Sequence, residues 1–148
     1  MKISPIIAGV AGEYFVAAEL SRRGYIASIS LRNTRGIDIL ATNAKASRSV
    51  TIQCKTTRLK NKVWMLNKKC EHFVSDNHFY VLVSLRGISD LPNFHIVPSK
   101  QVAKVTKRSH RKWLVKLRRD GGERKNNSLR LFPDRDDKYL GKWNLLGL

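Results

Sequence analysis

The sequence predicts a mixed α/β (α+β) domain in the order αβββαβ, with a central mixed sheet flanked by helices, and three patterns predict it. An apolar stripe of helical period comes first, strand-like segments follow it in succession, and an unbroken apolar run later marks a strand covered on both faces. The chain has 148 residues, enough for one domain with a sizeable core and too few for two ordinary ones. The expected organisation is a single domain over 1–148, with a core at about 9–98 and a basic C-terminal extension at 99–148.

Residues 10–23 read as a helix, because Val10, Glu13, Val16, Ala17 and Leu20 recur at the spacing of one helical face, and Gly24 stops it. Glu13 then falls near the middle of the core-facing stripe, while Glu19 and Arg22 point elsewhere. Ala27, Ile29 and Leu31 alternate with Ser28 and Ser30 as a half-buried strand. Residues 32–36 read as a turn. A second strand is expected over 37–42 and a third over 50–55, which sets Thr51, Gln53 and Lys55 on one face and Val50, Ile52 and Cys54 on the other. Short loops between the three suggest an antiparallel meander. Leu66, Cys70, Phe73 and Val74 suggest a helix near 66–75. Residues 79–85 read as a buried strand and 94–97 as another. Ser99 is expected to cap a helix holding Val102, Ala103 and Val105. Asp134, Asp136 and Asp137 are read as the acidic start of a last helix. Residues 138–146 read as a segment that docks over the core.

Charge narrows the partners. The formal net charge is +18, an imbalance that speaks to polyanion binding rather than to fold. From Lys100 to Lys125 there are eleven Lys or Arg against two acids, and residues 55–69 carry bases with no acid. No apolar stretch is long enough to span a bilayer, and no basic helix with a bulky apolar face stands out, so no membrane role is expected. The apolar run 6–11 leads straight into Glu13, which argues against a signal peptide. Cys54 and Cys70 have no spacing for zinc or a disulfide framework, and a reducing cytoplasm is the expected compartment.

The most informative residues are polar ones on apolar elements: Glu13, Asp38, Gln53 and Lys55. Such groups are costly unless they are paired or employed. Structural pairing with a core cation is one account of Glu13. Convergence is the other: two carboxylates, an amide oxygen and an ammonium would hold a divalent cation beside a phosphodiester. His72 and His78 lack a matching pattern for a histidine-metal site and read as surface or core residues.

Taken in order, Gly12-Glu13 in the helix, Gly36-Ile37-Asp38-Ile39-Leu40 in the second strand and Ile52-Gln53-Cys54-Lys55-Thr56 in the third resemble the PD-(D/E)XK nuclease superfamily. The resemblance covers roughly residues 9–86, and the first helix also looks like that of archaeal Holliday-junction resolvases. Two positions depart from the pattern. Ile37 stands where the motif name has proline, and Gln53 stands in place of the second acid. A similar Gln-x-Lys form is found in Mrr-type restriction enzymes and in an intron-encoded homing endonuclease branch. The resemblance implies a restriction-endonuclease-like core, catalysis by Glu13, Asp38, Gln53 and Lys55, and Mg²⁺ (with Mn²⁺ as a substitute) held by Glu13, Asp38, Gln53 and the backbone carbonyl of Cys54.

The expected activity is metal-dependent endonucleolytic hydrolysis of DNA, by a homodimer or higher symmetric oligomer. Candidate nucleic-acid contacts are Arg32, Asn33 and Arg35 in the turn, Thr57, Arg58, Lys60 and Lys62 after the motif lysine, and Lys107, Arg108, Arg111 and Lys112 in the basic tail. The alternative is a catalytically silent nuclease fold that binds DNA or RNA. RNA as the substrate is the less favoured reading, since no feature reads a 2′-hydroxyl.

Overall fold

Ser4 and Pro5 set the start of the first helix in the computed structural model, which describes residues 3–31 and 36–148. Ser4 accepts a hydrogen bond from the Ile7 N–H (3.2 Å), and Pro5 occupies the first turn, where its missing N–H costs nothing. Helix α1 (Pro5–Arg22) therefore begins five residues earlier than its apolar spacing predicts. It ends on Gly24 at φ +84°, with the Gly24 N–H on the Ser21 carbonyl and the Tyr25 N–H on that of Leu20, a Schellman closure. Its buried stripe is Ala8, Gly12, Val16 and Leu20, so Glu13 flanks the stripe rather than centring it.

Strands β1 (Ile26–Ile29), β2 (Ile39–Thr42) and β3 (Ser49–Thr57) form the antiparallel meander. β5 (His78–Ser84) pairs parallel with β3, and β6 (Asn93–Pro98) antiparallel with β5, for a mixed sheet ordered β1-β2-β3-β5-β6. β1 is an edge strand. Ala27 packs on the core, but Ile29 is part-exposed and Leu31, beyond the last paired residue, is 88% exposed, so the expected half-buried face reduces to one residue.

A parallel pair needs a long crossover. The crossover from β3 to β5 is not the helix expected near 66–75. It is strand β4 (Val63–Asn67) followed by a 3-10 helix (Lys68–Glu71). Trp64 and Leu66 point inward and Met65 outward, a period of two that outweighs the helix-like spacing of Leu66 and Cys70. β4 pairs with β7 (Leu129–Pro133) in a second small sheet.

Two apolar cores lie on opposite faces of the main sheet. α1 covers one, where Val16 and Leu20 meet Ile39, Ile52, Val81 and Ile96. On the other, Tyr80, Leu82 and Val97 meet Trp64, Phe132 and Val102, the last from helix α2 (Ser99–Leu114). Ser99 does not cap α2. Its buried hydroxyl donates to the Ser75 carbonyl (2.8 Å) and accepts from the Ser75 N–H (3.1 Å), tying the helix start to the loop before β5.

Nor do Asp134, Asp136 and Asp137 start a helix. Asp134 is buried and accepts from the backbone N–H groups of Lys138 and Tyr139 (3.0 Å each), and it lies 2.6 Å from His95 Nδ1. Lys62 pairs with Asp137 at 2.5 Å. The following segment runs beside β6, with the Ile96 N–H on the Tyr139 carbonyl and the Gly141 N–H on that of Phe94. A second 3-10 helix (Trp143–Leu146) sets Trp143 and Leu146 into the α1-side core. Among the described residues, no helix is long and apolar enough to cross a membrane.

Candidate active site

Gly12 brings α1 against the end of β3. A Cβ at this position would collide with Thr56 Oγ1, so only glycine allows the approach. Glu13, the next residue, is half-buried at that junction.

Asp38 lies just ahead of the first paired residue of β2, though its backbone still bridges the neighbours. The Ser30 N–H donates to its carbonyl and its own N–H donates to that of Ile52 (2.8 Å each). Its carboxylate Oδ2 accepts the Cys54 N–H at 2.7 Å, replacing the strand partner that β3 lacks past the start of β2. Burial pushes the Asp38 carboxyl above the ordinary range, against the lowering pull of the Cys54 N–H and of Lys55.

The fields of three charged groups reach Cys54. Its thiol, buried in the α1-side core, is pushed well up, first by burial and then by the fields of Asp38 and Glu13, with Lys55 opposing. Residues on three elements therefore act on one point of β3. In an extended strand the N–H and C=O of one residue point to the same side. The Cys54 carbonyl thus faces the side from which Asp38 approaches.

Gln53 and Lys55 project from the opposite face of β3 to Cys54. Both line a cleft of about 510 Å³ beneath β4 and its 3-10 helix, with Tyr80, Asn67, Lys69 and Phe73 among its walls. Tyr80 is the register partner of Gln53 in β5. Asn67, Lys69, Phe73 and Tyr80 are absent from the sequence-derived site. Tyr80 follows from strand parity once β3 and β5 are known to pair, whereas Lys69 and Phe73 follow only from the path of the crossover.

Among the described residues, no three His, Cys, Asp or Glu side chains form a group able to hold a metal ion. A divalent cation at this site would therefore depend on amide and carbonyl oxygen beside the carboxylates. Gln53 and the Cys54 carbonyl are of that kind, and hard cations such as Mg²⁺ prefer all-oxygen sets with retained waters. The donor chemistry of Glu13, Asp38, Gln53 and Cys54 fits such an ion.

Of the candidate nucleic-acid contacts, Arg32, Asn33 and Arg35 lie outside the described residues. Thr57 Oγ1 accepts the Leu59 N–H (3.1 Å) in the turn after β3. The Arg58 guanidinium donates to the Ile3 carbonyl and holds the N-terminal segment. Lys60 is exposed, while Lys62 is engaged by Asp137. Lys107, Arg108, Arg111 and Lys112 are exposed on α2, which packs against the 3-10 helix bordering the cleft. His72 is exposed. His78 is buried, with Nδ1 2.8 Å from Thr51 Oγ1.

No protein-family profile matches the chain, and no curated protein matches it in sequence. Its fold is similar to that of solved structures. The bacterial homing endonuclease I-Ssp6803I aligns with a TM-score of 0.58 at 13% identity, over 99% of this chain and 94% of that one. The Holliday junction resolvase Hjc of the archaeal hyperthermophile Archaeoglobus fulgidus aligns with a TM-score of 0.54 at 13% identity, over 92% of each chain. At this identity the likeness shows a shared fold, a mixed sheet flanked by helices.

Proposed function

We propose that this chain is a Mg²⁺-dependent DNA endonuclease hydrolysing phosphodiester bonds. The observation that carries the reading is that the fields of Glu13, Asp38 and Lys55 all reach Cys54, on a strand whose Gln53 and Lys55 line a cleft, in a chain of net charge +18. The likeness in fold to a homing endonuclease and to a Holliday junction resolvase supports it.

Glu13, Asp38, Gln53 and the Cys54 carbonyl would hold the cation. When bound, that cation supplies a water of lowered pKa and neutralises charge building on the phosphate. Asp38 is suited to its part because partial burial thins the solvent around its carboxylate while the Cys54 N–H fixes its orientation. Lys55 donates hydrogen bonds to the non-bridging phosphate oxygens or to the attacking water, where a fixed cation stabilises the pentacovalent transition state. The exposed cations of α2 hold phosphates along the flanking backbone, so affinity falls steeply with salt. One such site per chain cuts one strand, and a symmetric homodimer would cut both.

A second reading is a silent binding module of the same fold. Gln53 in place of an acid favours it, because it removes an anionic ligand. Incubating the protein with supercoiled plasmid, linear duplex and four-way junction, with Mg²⁺ or with EDTA, separates the two. Cleavage of any of them in Mg²⁺ alone supports the nuclease. Retention of all three without cleavage, together with no Mg²⁺ or Mn²⁺ uptake by calorimetry in the presence of DNA, supports the binding module.

A further inference from the structure

The cleft next to Lys55 is larger and more apolar than a phosphodiester requires. Its volume of about 510 Å³ is that of a small-molecule site. Leu66 and Cys70, both buried, form an apolar part of its lining. Phe73 contributes open aromatic surface, and the buried rings of His78 and Tyr80 back it as a shelf. The Phe73 and His78 rings are 4.6 Å apart at 75°, and the His78 and Tyr80 rings 5.3 Å apart at 76°. These are the edge-to-face geometries that aromatic pairs prefer.

The shelf is held rigid and uncharged. Thr51 Oγ1 pins His78 through Nδ1, and burial drives the imidazole's pKa down to about 4. Phe73 keeps 43% of its surface open, and Gly36 opposite it leaves the ring uncrowded, since a Cβ there would come within 3.3 Å. The rest of the lining is polar: Gln53, Asn67, Lys55 and the exposed Lys69. An aromatic shelf beside two lysines matches a base joined to a phosphate. A stacked duplex presents only its grooves and backbone, so a base reaches such a cleft only when it is unpaired.

We propose that this cleft receives one unpaired nucleotide of the DNA strand, its base against Phe73 and its phosphate held by Lys55 and Lys69. The inference rests on the nuclease reading for its choice of DNA. It makes a locally unpaired nucleotide part of what the site recognises.

The test is binding by fluorescence anisotropy in EDTA, with a plain duplex and the same duplex carrying one bulged nucleotide. The wild type is expected to favour the bulged probe about tenfold, the lower part of the range for stacking one base on an aromatic side chain. Phe73→Ala should reduce that preference to about twofold or less while leaving plain-duplex affinity within about twofold, because backbone contacts carry it. Phe73→Leu preserves apolar contact with His78 and should lose the preference likewise, so the test survives poor folding of the alanine variant. Lys69→Gln should weaken the bulged probe more than the plain one. Equal affinity of the wild type for both probes, or an unchanged preference in a folded Phe73→Leu protein, overturns the proposal. Because no metal is present, the outcome is separate from cleavage. Plasmid nicking without a Phe73-dependent preference would remove the nucleotide cleft alone, and the preference without nicking would remove catalysis alone.

Discussion

Two clusters of polar groups sit among apolar elements of this fold, and they are built oppositely. Around Asp134, every donor comes from within. His95 Nδ1, the Lys138 N–H and the Tyr139 N–H converge on one buried carboxylate, and Lys62 occupies the neighbouring Asp137. Around Asp38, among the described residues, one N–H from Cys54 serves the carboxylate, burial holds its pKa up, and the adjoining strand face opens on a cleft. The first cluster spends its acid on joining the C-terminal segment to β6. The second keeps an acid in an unfavourable environment, which a fold retains where the group has work to do. Carboxylates near strands do not by themselves mark a site. What distinguishes these two, among the described residues, is how many donors the fold aims at the carboxylate, three at Asp134 and one at Asp38.

The sharpest way to break this comparison is to truncate one charged residue in each cluster. Lys55→Ala should lower plasmid nicking in Mg²⁺ by about 10³-fold or more, the usual scale for losing a fixed transition-state donor. Its melting temperature should change little. Asp134→Ala should do the reverse. It strands three donors and should lose about 3–5 kcal/mol in urea denaturation, while the nicking rate per folded molecule at low temperature stays near that of the wild type. A stable Asp134→Ala protein with no nicking would make the two clusters one functional unit.

A pH series sharpens the contrast further. The folded pKa of His78, about 4, lies below its ordinary 6.5, so the unfolded chain takes up the proton first. The stability His78 contributes is complete above pH 6.5 and drains away as pH falls to about 4, by at most about 3 kcal/mol. Denaturation midpoints of wild type and His78→Phe should therefore diverge across that window, and parallel curves would refute the assignment.

A smaller effect lies at the helix–strand junction. Gly12→Ala should cost about 1–3 kcal/mol by overpacking against Thr56 and should slow nicking by shifting Glu13. Thr56 Oγ1 is buried with no hydrogen-bond partner among the described residues, so Thr56→Ala costs little alone and should restore part of what Gly12→Ala loses. Additive losses in the double variant would show that the junction is not the cause.

Local periodicity explains why the first half of the fold is legible in sequence. The spacing of Val16 and Leu20 and the alternation of Val50, Ile52 and Cys54 mark α1 and β3, and these elements carry Glu13, Gln53 and Lys55. The crossover is legible only in part. Leu66, Cys70 and Phe73 mimic a helix because a strand and a 3-10 helix succeed each other against one core, and the strand signal rests on Trp64, Met65 and Leu66 alone. Asp134 misleads for the same reason. Its partner His95 is 39 residues away, and nothing local reports that distance being closed. Tyr80 and Lys69 join the cleft through the parallel β3–β5 pairing and the crossover above it, which are properties of topology rather than of any sequence window.

The central claim is that Asp38, the half-buried acid beside β3, serves catalysis. Its most direct test is the initial rate of supercoiled-plasmid nicking by wild type and Asp38→Asn in Mg²⁺, with melting temperatures measured in EDTA. The account predicts that the amide abolishes nicking and raises the melting temperature, since it removes a poorly solvated charge and keeps an oxygen for the Cys54 N–H. Undiminished nicking by a pure, folded Asp38→Asn protein would contradict it.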